Sequence, residues 1–399
     1  MSDQSIPLLI INSHPIQYFA PLYRHLAADP AFSVTVLYGS RHGLSGETDK
    51  QFGQAVQWNI PLLDGYTHKF LSNQSPSPSI YGFWGLLNLS VLLHIWRAPR
   101  KSIVIVHGWA YALCWIAISF ARLSGHTVCL RGESPQKLEQ RKSGWRQQLR
   151  KRLLSRGLFP LINYFLYIGQ QNRLFYQGMG VKSAKLLFCP YAVDNDRFQH
   201  YVASLATSKS DIRTRLKLPA DGLVILSAGK YIAKKRPMDL LRAFASLHRP
   251  NITLVLVGDG HLRAELTQYI HEQALQSVYL TGFINQAEIG AYYAAADLYV
   301  MCSTEEETWG LSTNEAMNFR LPLVLSDAIG CAADLVREGI NGYSYPCGDI
   351  EQLTDRLSRI LAMTAAERQQ MGDASLALIN QYSYHQTGES LKSAFRTLS

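Results

Sequence analysis

The chain has 399 residues, of which 47% are hydrophobic and 17% charged; that is apolar material for two domains with full cores, and it excludes disordered and fibrous classes. The net charge of +9 is unevenly spread, with 21 Lys and Arg against 9 Asp and Glu in residues 1–200 and 18 against 21 in residues 201–399. Cys114, Cys129, Cys189, Cys302, Cys331 and Cys347 show no C-x-x-C spacing, so they read as buried free thiols of a reducing compartment, with neither a disulfide framework nor a zinc site expected.

The amino terminus, MSDQSIPLLIIN, lacks the basic start and long apolar stretch of a secretion signal, and a cytoplasmic protein is expected. Leu8–Asn12 reads as a short buried strand. It is followed by Ser13-His14-Pro15-Ile16-Gln17 and an amphipathic helix with Tyr18, Leu22, Tyr23 and Leu26, in whose first turn Pro21 must sit. Ser33–Tyr38 is the next strand, and Gly39–Gln54 is a polar loop long enough to be mobile. Tyr81–Trp96 reads as one apolar helix capped by Arg97, Arg100 and Lys101. It falls short of the ~20 residues that cross a bilayer, so it is read as a core or interfacial helix.

Ile103–Val106 is an apolar strand ending in His107, which by itself reads as structural. A helix Tyr111–Leu123 and a strand His126–Leu130 follow, leading to Arg131 and Glu133, which face a cleft or pair with each other. Lys137–Arg156 holds eight basic residues and one acid, Glu139, with Trp145, Leu149 and Leu153 on one helical face. Two readings of it stand level: a helix lying on an anionic membrane surface, or a solvated helix packed on the core through those apolar residues. A nucleic-acid groove is disfavoured, because no stacking platform or helix-turn-helix accompanies the charge. Tyr164–Ile168, Gln170–Met179, Lys185–Cys189 and the loop Pro190–Phe198 close a first domain at residue 200, and the polar stretch 201–219 reads as a linker.

A second domain, 220–383, opens on strand Leu223–Ser227, then Gly229 and the basic loop Lys230-Tyr231-Ile232-Ala233-Lys234-Lys235-Arg236 before a helix started by Pro237. Ile252–Val257 leads into Gly258-Asp259-Gly260, which does not complete the dinucleotide fingerprint. Val278–Thr281 leads to Gly282-Phe283, and Asp297–Met301 leads to the richest stretch, STEEETWGLSTNEAMNFRLP from Ser303 to Pro322. Gly310 there permits close approach of a ligand, and the N–H groups of Leu311 and Ser312 open a helix able to receive phosphate. Glu307 and Glu315 flank that turn, so their partners are expected to be hydroxyls: ribose on one side of a diphosphate and hexose on the other. Against this, Ser312 and Glu315 also fit a capping box, and Glu305–Glu307 fit a solvated acidic loop. Strand Leu323–Ser326, helices Ala332–Glu338 and Ile350–Leu361, and a last helix from about Tyr384 complete the chain. The alternation of strand and helix predicts an α/β protein of two doubly wound sheets facing a cleft.

Glu307, Trp309, Gly310, Glu315, Ala316 and Met317 resemble the hallmark of family-four retaining glycosyltransferases of the GT-B fold, with Trp309 where Phe is commoner. The resemblance spans nearly the whole chain and implies two Rossmann-like domains, with residues 384–399 crossing back to the first. By the same resemblance Glu307 and His107 face the donor sugar, Glu315 holds the ribose, and Lys230 and Lys235 grip the diphosphate, although Lys230 stands where Arg is usual and lacks its bidentate grip. Gly310, Leu311, Ser312, Gly258, Phe283 and His14 would complete the donor pocket, with Ser13-His14-Pro15 replacing a common Gly-Gly pair. The implied activity is hexosyl transfer from a UDP- or GDP-sugar to a saccharide or lipid-linked acceptor in surface polysaccharide or glycoconjugate synthesis, with no cofactor, no metal and no nucleic acid. An epimerase or phosphorylase on the same fold, or an inactive binding subunit, are the alternatives. The location expected is cytoplasmic, and peripheral on the inner membrane face if 137–156 lies on the membrane.

Overall fold

The computed structural model describes residues 5–44, 48–49, 54–55 and 59–396. It divides into unit 1, made of Met1–Glu47, Ile60–Tyr191 and Tyr384–Ser399, and unit 2, made of Thr48–Asn59 and Ala192–Ser383.

Unit 1 is built on seven parallel strands: β1 (Ile6–Asn12), β2 (Phe32–Tyr38), β3 (Thr67–Phe70), β4 (Ile103–His107), β5 (Thr127–Arg131), β6 (Tyr164–Tyr167) and β7 (Leu186–Phe188), in the order β3-β2-β1-β4-β5-β6-β7. Leu9, Ile11, Val104, Val106 and Val128 enter one core with the helices Val91–Arg97 and Ala112–Leu123. The near-continuous apolar runs follow from a parallel sheet being covered on both faces. Pro21 sits in the first turn of the helix Ala20–Ala28. The last helix, Tyr384–Phe395, packs on that helix: the Tyr384 hydroxyl donates to the Tyr18 carbonyl at 3.1 Å, and Lys392 pairs with Asp29 at 3.0 Å.

Unit 2 repeats the plan with β8 (Leu223–Ala228), β9 (Ile252–Val257), β10 (Val278–Leu280), β11 (Leu298–Met301), β12 (Leu323–Ser326) and β13 (Gly342–Tyr345), all parallel in the order β10-β9-β8-β11-β12-β13. In both sheets the chain winds outward in one direction and then returns to the middle to wind the other way. The reversal lies between β1 and β4 in unit 1 and between β8 and β11 in unit 2, and at such points the carboxyl ends of two neighbouring strands part to leave a crevice.

Several expectations are corrected. Tyr81–Trp96 is a single turn, Phe83–Gly85, followed by a separate seven-residue helix Val91–Arg97. Gly82 adopts φ +93°, and Asn73 and Asn88 hydrogen-bond the flanking backbone: Asn73 bonds Gly85 and Leu87, and Asn88 Nδ2 donates to the carbonyls of Gly39, Leu71 and Ser72. Residues 137–156 likewise break at Gly144, φ +99°, into Gln136–Arg141 and Trp145–Arg152. The first domain ends at Tyr191 and not at 200. The stretch 201–219 is no linker, because helices Asn195–Ala203 and Lys209–Arg215 belong to unit 2. Buried Arg213 fixes it there, paired with Asp297 at 2.6 Å and donating to the Ala295 carbonyl at 2.9 Å. Much of the loop expected over Gly39–Gln54 lies outside the described residues.

Candidate functional site

The loops that leave β8 and β11 at the reversal of unit 2 carry the charged groups. Lys235 Nζ lies 2.6 Å and Lys234 Nζ 3.5 Å from Glu307 Oε2. The two loops are stitched together where Thr304 N–H donates to the Lys234 carbonyl at 2.8 Å. Lys230 and Lys235 line, with Ser303, a cavity of about 20 Å³, which is space for about one water. Any larger anion has to meet these lysines at the mouth of the crevice.

Only 14% of the Glu307 side chain is exposed. Burial alone would raise its carboxyl, but the ammonium groups of Lys235 and then Lys234 more than offset this and hold it below the usual carboxylate range. A carboxylate so paired is a weak base and a weak nucleophile, suited to accepting hydrogen bonds from hydroxyls.

Gly310 opens the helix Leu311–Asn318 with φ +98°, and a Cβ there would sit 3.0 Å from Met301 Sδ and 3.1 Å from Ile329 Cγ2. Glycine is required on both counts. Having no side chain, it leaves the first N–H groups, those of Leu311 and Ser312, without a side-chain cap. Ser312 lies inside the helix: its hydroxyl receives the Tyr299 hydroxyl at 2.7 Å and donates to the Ala228 carbonyl at 3.2 Å, tying the helix start to the end of β8. The capping box therefore does not form. The Glu315 carboxylate is 1% exposed and accepts from Gln286 Nε2 at 3.2 Å and the Tyr293 hydroxyl at 2.8 Å. An external hydroxyl has to replace these partners or share the carboxylate with them. Glu305 is also buried, so of the three acids Glu305–Glu307 only Glu306 is solvated.

Gly258 N–H donates to the Gly282 carbonyl at 3.0 Å, next to half-buried Phe283. A Cβ at Gly258 would approach the Gly229 carbonyl to 2.0 Å. The loops after β9 and β10 thus close against the loop after β8, beside Lys230.

In unit 1, the Tyr23 hydroxyl receives Asn12 Nδ2 at 3.0 Å and lies 3.1 Å from His107 Nε2. Either the Tyr23 hydroxyl or the His107 Nε2 can be the donor of that bond. Burial, then the Arg131 guanidinium, hold His107 neutral, its pKa well below the ordinary value. Arg131 is buried and donates to the carbonyls of Cys189 at 3.1 Å and Pro190 at 3.3 Å. His14 Nδ1 is 2.9 Å from the Ser13 hydroxyl, and its ring meets His42 edge-on at 5.2 Å. Burial, then His42, lower its pKa to about 4.

These histidines make unit 1 acid-sensitive. The unfolded chain takes up their protons near pH 6.5 and the folded chain takes up that of His14 only near 4, so their contribution is complete above 6.5 and lost as pH falls toward 4. Thermal unfolding followed by calorimetry is expected to show Tm falling by several degrees across that window. His14→Asn should flatten the slope, and an unchanged slope would contradict the assignment.

Sequence reasoning missed Lys234, the Glu315 partners Gln286 and Tyr293, and the His107 partner Tyr23. Lys234 was visible only as one member of a basic run. Lys234→Ala is expected to weaken nucleoside diphosphate binding less than about tenfold, since the ammonium is half-exposed and screened. Calorimetric titration measures this, and a loss of a hundredfold would make Lys234 and not Lys235 the dominant cation.

Residues 208–376 match the family described as glycosyl transferases group 1. The match covers less than half of the chain, and the two sheets have the GT-B fold. The alpha-monoglucosyldiacylglycerol synthase of Acholeplasma laidlawii is 30% identical over 138 residues, 34% of each chain. The putative teichuronic acid biosynthesis glycosyltransferase TuaC of Bacillus subtilis is 31% identical over 146 residues, 36% of this chain and 34% of that one. The chain thus spans about a third of the length of these curated relatives. Among solved structures, Anabaena HepE in complex with UDP superposes with a TM-score of 0.76 at 17% identity, covering 99% of this chain and 100% of the other. WaaG, a glycosyltransferase involved in lipopolysaccharide biosynthesis, gives 0.66 at 15% identity over 97% and 98%.

Proposed function

We propose that the protein transfers a hexosyl unit from a nucleoside-diphosphate sugar to a saccharide or lipid-linked acceptor, with retention at the anomeric carbon and without a metal, in the synthesis of a surface polysaccharide or glycoconjugate. The single observation that carries this reading is the Lys235–Glu307 pair at the reversal point of unit 2, beside an uncapped helix start. The relatives in glycolipid and teichuronic acid synthesis and the UDP complex of HepE support it.

When a glycosyl–phosphate bond breaks, negative charge collects on the leaving diphosphate. A cation about 4 Å away is worth on the order of 4 kcal/mol at an effective dielectric near 20, while a helix terminus offers only about half a unit charge. Lys235 and Lys230 therefore supply most of the stabilisation, and the N–H groups of Leu311 and Ser312 supply direction. With Lys234, the three ammonium groups balance Glu307 and a doubly charged diphosphate, so a divalent ion is not needed for neutrality. The paired Glu307 orients the sugar hydroxyls. The acceptor attacks from the leaving-group face and its proton passes to a phosphate oxygen of the donor. Residues 137–156 bring this chemistry to an anionic membrane surface on the cytoplasmic side. Among the described residues no helix is long and apolar enough to cross a membrane.

A panel of UDP- and GDP-sugars tested by thermal shift and by release of nucleoside diphosphate decides the reading. One donor class should raise Tm, as a ligand at a hundred times its Kd adds about 2.7 kcal/mol, and should turn over slowly. A flat response to every donor would sink it.

A further inference from the structure

The helices Val91–Arg97 and Ala112–Leu123 and the turn Leu153–Leu158, which continues the helix Trp145–Arg152, pack side by side in unit 1. Their inner residues, among them Val91, Ile95, Ile118, Leu154 and Leu158, fill the core on the sheet. Their outer residues are anomalous for a solvated surface. Of the twelve large apolar side chains exposed among the described residues, ten fall between Tyr81 and Leu153, including Trp96 at 74%, Trp145 at 69% and Leu123 at 84%. Trp145, Leu149 and Leu153 are 69%, 49% and 53% exposed, more than a helix packed on the core through those three residues would leave in water.

The charge around these residues has one sign. Residues 81–158 contain thirteen Lys and Arg against two acids, Glu133 and Glu139. Glu139 is buried, pairing with Lys142 at 2.8 Å and with Arg150 and receiving Gln147 Nε2 at 2.6 Å. It staples the helices Gln136–Arg141 and Trp145–Arg152 together and is not presented outward. An exposed apolar patch rimmed by cations, with tryptophan at its margins, matches the headgroup boundary of an anionic bilayer in both polarity and charge. Nucleic acid would satisfy the cations and leave Leu93, Leu123 and Leu149 in water.

We propose that this face of unit 1 is a monotopic membrane seat: Trp84, Trp96 and Trp145 enter the headgroup layer of an anionic bilayer, and Arg97, Arg100 and the basic residues of Trp145–Arg152 contact lipid phosphates. This deepens the membrane reading of residues 137–156 by adding the segment 81–97, and it rests on no step of the transfer chemistry.

The test uses the full chain and vesicles of phosphatidylcholine with or without half phosphatidylglycerol. Co-sedimentation should show at least tenfold tighter binding to the anionic vesicles. The pair Leu93→Ser with Trp96→Ser, and separately Trp145→Ser with Leu149→Ser, should each lower that binding tenfold or more. Arg97→Ser with Arg100→Ser should lower it by a factor that shrinks as salt rises. Titration with UDP or GDP on the same variants should match the parent, so that loss of the membrane seat and failure of the donor site are read separately. A measurement free of variants is quenching of the parent's tryptophan emission by bromine-labelled acyl chains, expected on anionic vesicles only. Unchanged vesicle binding in both serine pairs, or absent quenching, would overturn the proposal. So would a dimer in sedimentation velocity that the same substitutions abolish, which would assign the face to a second copy of the chain.

Discussion

Glu307→Gln is expected to lower turnover about a thousandfold, roughly 4 kcal/mol of transition-state stabilisation, while nucleoside diphosphate binds as well as before or several-fold tighter. The split follows from the geometry. Glu307 Oε2 occupies Lys235 Nζ at 2.6 Å, and so competes with an incoming phosphate for that cation. The neutral amide ends the competition, but it also loses the anionic acceptor that orients sugar hydroxyls and stabilises positive charge building on the ring. A Michaelis analysis with the donor found by screening separates the two effects. Near-parental turnover in the variant would remove Glu307 from the chemistry, and a glycosyl adduct trapped on Glu307 would replace the orienting account with a covalent one.

Lys235→Ala is expected to weaken nucleoside diphosphate binding about a hundredfold, some 2–3 kcal/mol, with Lys235→Arg recovering part of it. The loss has a second consequence within the protein. Burial is the largest influence on the Glu307 carboxyl and acts to raise it; without Lys235 only Lys234 at 3.5 Å opposes it, so the carboxyl should shift upward. The pH profile of donor turnover in the variant should then lose its acid limb at a higher pH than in the parent. Affinity equal to that of the parent, measured by calorimetry, would refute the phosphate-gripping assignment.

The interior strands were legible because each is a short apolar run closed by glycine or a polar turn, as in Ile252–Val257 and Leu323–Ser326. The strands missed lie at the margins of their sheets. Thr67–Phe70 alternates exposed and half-buried residues because it has a neighbour on one side only, and Gly342–Tyr345 begins with a glycine that sits against the Leu323 carbonyl. The fifteen-residue helix Ala365–Ile379 was overlooked although Thr364 and Glu367 spell out the capping box that starts it. Apolarity misled in the opposite direction over Tyr81–Trp96, where the hydrogen bonds of Asn73 and Asn88 outweigh helix formation. At the site, residues local in sequence were readable: Gly310 through its turn, Lys235 and Glu307 through their places after two strands. What makes Glu315 a buried, satisfied carboxylate is supplied by Gln286 and Tyr293, more than twenty residues away, and no local pattern announces such partners. The neutral state of His107 likewise depends on its burial and on the distant Arg131.

The claim on which the account turns is that unit 2 takes a diphosphate between the loops after β8 and β11. The most direct measurement is a crystal structure of the full chain with UDP or GDP, whichever the donor screen selects. The account predicts the terminal phosphate within hydrogen-bond reach of Lys235 Nζ and of the N–H of Leu311 or Ser312, with the Lys235–Glu307 contact lengthened. A diphosphate bound away from the carboxyl ends of β8 and β11, with that contact intact, would contradict it.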